Sequence, residues 1–317
     1  MPKLLHRSLT VCALSTILAA SLVGCGSDDP QPTEAATSSL DWASHIEAVA
    51  KTSKESAFSQ VDVVGPMVTL TYLDGTTIMN GAGNTPGVFK YRSYDDFQDT
   101  RSFKKLSELP VADFAKRLGE QEKACKDAAP TGRLTVTHTG ALVERLGCES
   151  DTMRKDTRAT TINGKAVPTL DALLDEKAIT TILDEAKTLH GDAVSSITLT
   201  PKPVEEGDMP KAVVAAAPIK NAGGSAMCAQ LSTRWTKPGT EGLLLDYADC
   251  APETPTGRTM KLSALDAKGI LATAEAAAKK AGTTAEKADE VVVLPSSNPN
   301  AFTVRVTAGE KTGEASS

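Results

Sequence analysis

The 317-residue chain carries 40 acidic side chains against 34 lysines and arginines, for a formal net charge of −6. Such a balance excludes the basic stripe expected of a nucleic-acid binder, and no nucleic-acid partner is expected. Aromatic residues make up only 4%, so the cores must be built from Val, Leu, Ile and Ala, which is poor ground for a sugar cleft lined by stacked rings.

Lys3 and Arg7 form a short positive segment, and Leu9 to Val23 is an uncharged, mostly apolar run. That run is too short for about 30 Å of hydrocarbon, which needs roughly 20 residues, and it suits the apolar region of an export signal. It ends in Leu22-Val23-Gly24-Cys25, which resembles the bacterial lipobox. The resemblance implies cleavage before Cys25, a diacylglyceryl group on its thiol, and a body held on the extracytoplasmic face of the cell membrane by that lipid. The lone Arg7 favours the general secretory route over the twin-arginine one. Residues 1–24 are then signal peptide, and 25–39 are the lipidated cysteine and a polar tether too poor in apolar residues to fold.

Four helices are expected from apolar periodicity. The first runs from Leu40 to Lys51, with Ser38 and Asp41 spaced as a capping box. The second covers Ser107 to Lys126. The third runs from Leu170 to His190, capped by Thr169 and stopped by Gly191, and the fourth from Ala264 to Ala281, stopped by Gly282. Met67 to Leu73, Asp74-Gly75 and Thr76 to Met79 read as a tight hairpin, because Asp-Gly supplies the positive φ such a turn needs. Strand signals follow at Val88 to Tyr94, Arg133 to His138, Ala141 to Gly147, Thr160 to Ile162, Ala193 to Thr200, Ala212 to Ala217, Ala226 to Trp235, Leu243 to Tyr247, Glu290 to Leu294 and Phe302 to Thr307. Runs of strands with occasional helices predict an α+β class, antiparallel sheets with helices packed on one face, in two tandem domains. The expected divisions are 40–165 and 166–308, with 309–317 a disordered polar tail.

Two features hint at internal repetition. Lys105-Leu106-Ser107-Glu108-Leu109 and Lys261-Leu262-Ser263-Ala264-Leu265 share KLSxL ahead of a helix, and Cys125…Cys148 has nearly the spacing of Cys228…Cys250. The two pairs imply different shifts, and chance similarity of capped helices is the alternative.

Cys12 leaves with the signal and Cys25 is lipidated, so Cys125, Cys148, Cys228 and Cys250 remain, an even set that implies disulfides in an exported protein. No pair has the close spacing of zinc ligands, and no metal or cofactor is expected. In a hairpin, Cys228 and Cys250 would face each other across a turn centred on Gly239, within Lys237-Pro238-Gly239-Thr240. That pairing leaves Cys125 to Cys148, tying the end of the second helix to a strand.

A catalytic constellation is not found. His45, His138 and His190 lie in no ligand spacing, and His190 in a last helical turn suits the dipole. Gly223-Gly224-Ser225-Ala226-Met227 fails as a nucleophile elbow, and Gly81-Ala82-Gly83-Asn84-Thr85-Pro86 fails as a dinucleotide loop and reads as a plain loop. Asp95, Asp96 and Asp99 lack calcium-loop spacing. Ser102 to Lys105, Ser296 to Asn298 and Lys311 to Gly313 match, in order, the motifs of penicillin-recognising serine enzymes. Their surroundings, a charged run and a polar tail, argue against that reading.

Val88 to Tyr94 alternates rings and cations, with Phe89 and Tyr91 on one face and Lys90 and Arg92 on the other. Phe89, Tyr91, Arg92 and Tyr94 are thus candidates for partner contact, against an ordinary half-buried strand. In outline only, tandem α+β modules with one disulfide each resemble PepSY-type and β-lactamase-inhibitor-type modules. The expected function is a non-catalytic binding or interaction module of the cell envelope, meeting an envelope protein, wall component or lipid. The alternatives are a carrier of a lipid or small solute in an apolar cavity and, less favoured, an envelope enzyme.

Overall fold

A computed structural model describes residues 41–74, 77–84, 87–92, 101–125, 128–149, 159–202, 209–220, 227–236, 243–247, 257–298 and 301–317. The signal, Cys25 and the tether lie outside the described residues.

The first half opens with helix α1 (Trp42–Ser53), followed by strands β1 (Ala57–Val64), β2 (Met67–Asp74), β3 (Thr77–Asn84) and β4 (Gly87–Arg92). A short strand β5 (Lys104–Lys105) runs through a 3-10 turn into helix α2 (Val111–Cys125). Strands β6 (Pro130–Val136), β7 (Leu142–Cys148), β8 (Ala159–Ile162) and β9 (Lys165–Ala166) complete it. The second half contains helix α3 (Glu176–His190), then strands β10 (Ala193–Thr200), β11 (Lys211–Ala216), β12 (Ile219–Lys220), β13 (Met227–Cys228), β14 (Gln230–Trp235) and β15 (Leu243–Tyr247). Strand β16 (Met260–Lys261), helix α4 (Ala267–Ala281) and strands β17 (Glu290–Pro295), β18 (Phe302–Ala308) and β19 (Lys311–Ser316) follow.

The two large sheets are antiparallel throughout, in the orders β4-β3-β2-β1-β6-β7-β8-β9 and β15-β14-β11-β10-β17-β18-β19. Helices α1 and α2 cover the apolar side of the first, burying Phe58, Val61, Leu70, Phe114 and Leu134; α3 and α4 cover the second, burying Ile182, Ile197, Ile270 and Val304. The fold is therefore α+β, with helices on one face of each sheet. Both sheets belong to one compact unit, Ser39–Ser317, and the expected division at 165–166 falls inside β9.

The halves repeat one plan, β4-β3-β2-β1-β6-β7-β8 matching β15-β14-β11-β10-β17-β18-β19, while β9 and the β12–β13 pair have no counterpart. Each has a central first strand flanked by a hairpin on one side and by the post-helix strands on the other. Both first strands shift register at the same place, between Phe58 and Gln60 and between Val194 and Ser196. The KLSxL segments occupy equivalent positions. Lys105 pairs with Ala57 and Lys261 with Ala193, and in each the N–H of the last leucine (Leu109, Leu265) donates to the carbonyl of the first (Leu106, Leu262). KLSxL is thus a strand end plus one 3-10 turn. The cysteine spacing is not part of the repeat: Cys125 ends a helix, whereas Cys228 lies on β13 opposite Ile219.

Several boundaries differ from expectation. Helix α1 is capped by Asp41, whose carboxylate accepts from Ser44 N, and Ser38 lies outside the described residues. Helix α3 begins only at Glu176, because Asp175 caps it through Ala178 N. Leu170 instead forms a parallel bridge to Thr236. Helix α4 begins at Ala267 rather than Ala264, because Asp266 caps it through Gly269 N. Strand β1 was not expected; its alternation starts only at Val61, after polar Ser59 and Gln60. Gly81 to Asn84 are strand, not loop.

The supposed polar tail is overturned as well. Residues 311–316 form the edge strand β19, because Gly313 lets its backbone lie against α4; a Cβ there would sit 2.1 Å from Ala277 O.

Candidate functional site

Cys125 and Cys148 form a disulfide joining the end of α2 to the end of β7. The other expected bond lies outside the described residues at Cys250. The hairpin meant to carry it exists, with Gln230 opposite Tyr247 and Arg234 opposite Leu243. That register centres the hairpin between residues 238 and 239. Phe89, Tyr91 and Arg92 lie on the edge strand β4, opposite Ala82, Asn80 and Met79; Tyr94 lies outside the described residues.

Among the described residues, two polar constellations stand out. The first is buried where the halves meet. Strand β14 turns Gln230, Ser232 and Arg234 towards α3, all nearly inaccessible. Arg234 Nε donates to Glu185 Oε2 at 2.6 Å, and Arg234 Nη2 donates to Pro168 O. Burial raises the Glu185 carboxyl above its usual range, against the opposing pull of Arg234. His190 Nε2 lies 2.8 Å from Ser232 Oγ. Burial, helped by His138, lowers His190 to about 3, with Gln230 working the other way. His190 is therefore a neutral buried ring, not a cation serving the helix dipole. His138 stacks on it at 6.2 Å and donates from Nε2 to His190 O at 3.1 Å. Thr139 adds a bond to Thr188 O at 2.9 Å. His138 and Thr139 tie the β6–β7 turn to the end of α3 and to Gln230 of β14, while Arg234 braces β14 against α3 within the second half. The Ser102 hydroxyl, a member of the serine-enzyme match, donates to His138 O at 2.8 Å, while Lys311 to Gly313 lie on the far edge strand β19.

The second constellation lies on the helix-free face of the first sheet. Asp62 is opposite Arg133, and Arg133 is opposite Arg145; in the next row Gln60, Thr135 and Val143 line up. Arg133 Nε donates to Asp62 Oδ1 at 2.5 Å. Gln60 donates to Asp62 and accepts from Arg101, so the row is cross-linked into one network. Leu244 and Leu245 of β15 form the opposite wall of a pocket of about 200 Å³. Of the two opposed arginines, Arg133 is paired with the Asp62 carboxylate. Sequence reasoning missed the site, because the Arg133–Arg145 opposition depends on the exact register of the β6–β7 hairpin. Asp62 and Gln60 sit on the unforeseen β1.

No known protein family matches the chain, and no curated protein does. Among solved structures, proliferating cellular nuclear antigen from Entamoeba histolytica is aligned at 12% identity, covering 87% of this chain and 95% of that one, with a TM-score of 0.16. The PCNA2–PCNA3 complex from Sulfolobus tokodaii is aligned at 9% identity over 87% and 95%, with a TM-score of 0.15. Superposition that poor carries no functional argument.

Proposed function

We propose that this chain is a lipid-anchored, extracytoplasmic protein that acts as a non-catalytic binding module of the cell envelope. The observation that carries the reading is the Cys125–Cys148 disulfide, since such bonds persist in oxidising compartments. It agrees with the lipobox-like Leu22 to Cys25 and the polar tether behind it. The membrane is met through the lipid on Cys25, and the partner is an envelope protein, a wall component or a lipid. Val64 and Met67, paired at the tip of the β1–β2 hairpin and each 43% exposed, offer apolar contact.

Replacing Cys25→Ala should abolish labelling by radioactive palmitate and leave an uncut precursor of higher mass. Labelling that persists in the variant would sink the anchor.

A further inference from the structure

The β1–β2 hairpin ends in a stretch with no polar side chain. Val63, Val64, Gly65, Pro66, Met67 and Val68 follow one another, where a surface turn ordinarily carries Asn, Asp or Ser. Val63 and Val68 turn into the core, whereas Val64, Pro66 and Met67 are exposed. Val64, Met67 and Leu73 are the large apolar side chains left exposed among the described residues, and two of the three meet at this tip as a directly opposed pair. Single exposed apolar residues need no explanation, but a wholly apolar turn does. The tip is also held in place from both sides. Gly65 N donates to Pro130 O at 3.0 Å, and His45 Nε2 of α1 donates to Pro66 O at 3.2 Å.

The second half supplies the comparison. Its β10–β11 hairpin has the same place in its sheet and the same register shift in its first strand. Yet Pro201 to Pro210, which joins those strands, contains Lys202, Glu205, Glu206 and Asp208. An apolar tip is therefore no requirement of the fold. The half that has it is also the half to which the tether is joined. Asp41 follows Cys25 by 16 positions and caps α1, and His45 stands one turn further on, about 6 Å along the helix axis. A lipid on Cys25 would thus pull on the end of the body where Pro66 touches His45, through a chain that reaches at most about 55 Å.

We infer that the tip Val64-Gly65-Pro66-Met67 inserts into the membrane that holds the lipid on Cys25, as a second point of attachment. The inference rests on the anchor reading and names the surface that this tip meets. A single lipid fixes how far a body can stray from the bilayer but not which face it turns towards it. A second, shallow contact fixes the orientation as well. Residues 63–68 contain no charge, so the contact is with the acyl boundary rather than with anionic headgroups, at the depth of an interfacial element, about 5–10 Å.

The test places the mature, lipid-bearing full chain in phosphatidylcholine vesicles and reads an indole at the tip. Native Trp42 and Trp235 are buried, and their emission in the parent is the baseline. Met67→Trp should add emission that shifts to the blue in vesicles, and brominated phosphatidylcholine should remove at least about half of the added signal. Val64→Trp, at the opposed position, should behave alike and covers a failure of the first variant to fold. Lys202→Trp, on the equivalent connection of the second half, should show neither effect. Flotation with the vesicles reads the anchor separately. A chain that floats while the tip indole stays unquenched overturns the insertion and leaves the anchor standing; a chain that bears no lipid overturns both. Quenching at Lys202→Trp equal to that at Met67→Trp would show contact without a preferred face and overturns the insertion too. An unquenched tip that cross-links to an envelope protein in cells, through a photoreactive side chain at position 67, assigns the surface to a protein instead.

Discussion

His190 shows how one buried ring couples the joint between the halves to pH. Its folded value of about 3 lies far below the ordinary 6.5, so between these values the unfolded chain binds a proton that the folded chain refuses. Stability therefore falls as pH drops from about 6.5 towards 3, by up to about 4 kcal/mol. Glu185 works the other way. Its raised carboxyl takes up a proton earlier when folded and offsets part of the loss on the acid side. His190→Gln can keep a bond to Ser232 but has no proton to gain. In urea titrations, the stability gap between parent and variant should narrow by about 2 kcal/mol between pH 7 and 4.5. A gap that stays constant would show that His190 titrates normally.

Between elements, the decisive contact is the approach of β19 to α4. Gly313 has no side chain, and a Cβ there would meet Ala277 O at 2.1 Å and Ala281 N at 2.7 Å. These are backbone atoms of a helix and cannot step aside. The row Ala274, Ala277, Ala278 and Ala281, all buried, keeps that side of the helix thin enough for the strand. Gly313→Ala should cost about 1–3 kcal/mol in chemical denaturation and raise hydrogen exchange along residues 311–316. Gly119→Ala, where nothing lies within 4 Å of the added methyl, should cost nothing measurable and is the control. The expected polar tail failed for the same reason: Lys311-Thr312-Gly313-Glu314-Ala315-Ser316 has no apolar alternation, and only the shape of α4 makes it a strand.

At the scale of the molecule, two copies of one plan have been stabilised differently. The first half ties α2 to β7 by Cys125–Cys148. At the matching ends of α4 and β18 stand Ala281 and Ala308, and that half relies on an alanine-lined helix packed on its sheet. The bridge closes a loop of 23 residues, worth roughly 3 kcal/mol if unstrained. Reduction should therefore raise hydrogen exchange across residues 111–148 and leave 267–308 unchanged. Equal deprotection of both halves would mean that they unfold as one cooperative unit, joined through the His138–His190 stack and the small cluster of Val143, Leu189 and Leu243.

The sequence by itself determined what depends on neighbours along the chain. Apolar spacing located all four helices, Gly282 marked the end of α4, and the strand signals at Arg133 to His138 and Ala141 to Gly147 located β6 and β7. KLSxL carried the trace of the duplication because a strand end and a 3-10 turn are local devices. The α+β class followed from the same local signals. The tertiary structure alone decided what depends on distant surfaces. Ala57–Val64 became the central strand of its sheet although its polar start hid the alternation, because hairpins on both sides supplied its hydrogen bonds. The exclusion of the cysteine spacing from the repeat, the depth of His190, and the meeting of Arg101, Arg133 and Arg145 over Leu244 and Leu245 were set by packing across the whole body. Such packing leaves no periodic mark in any one segment.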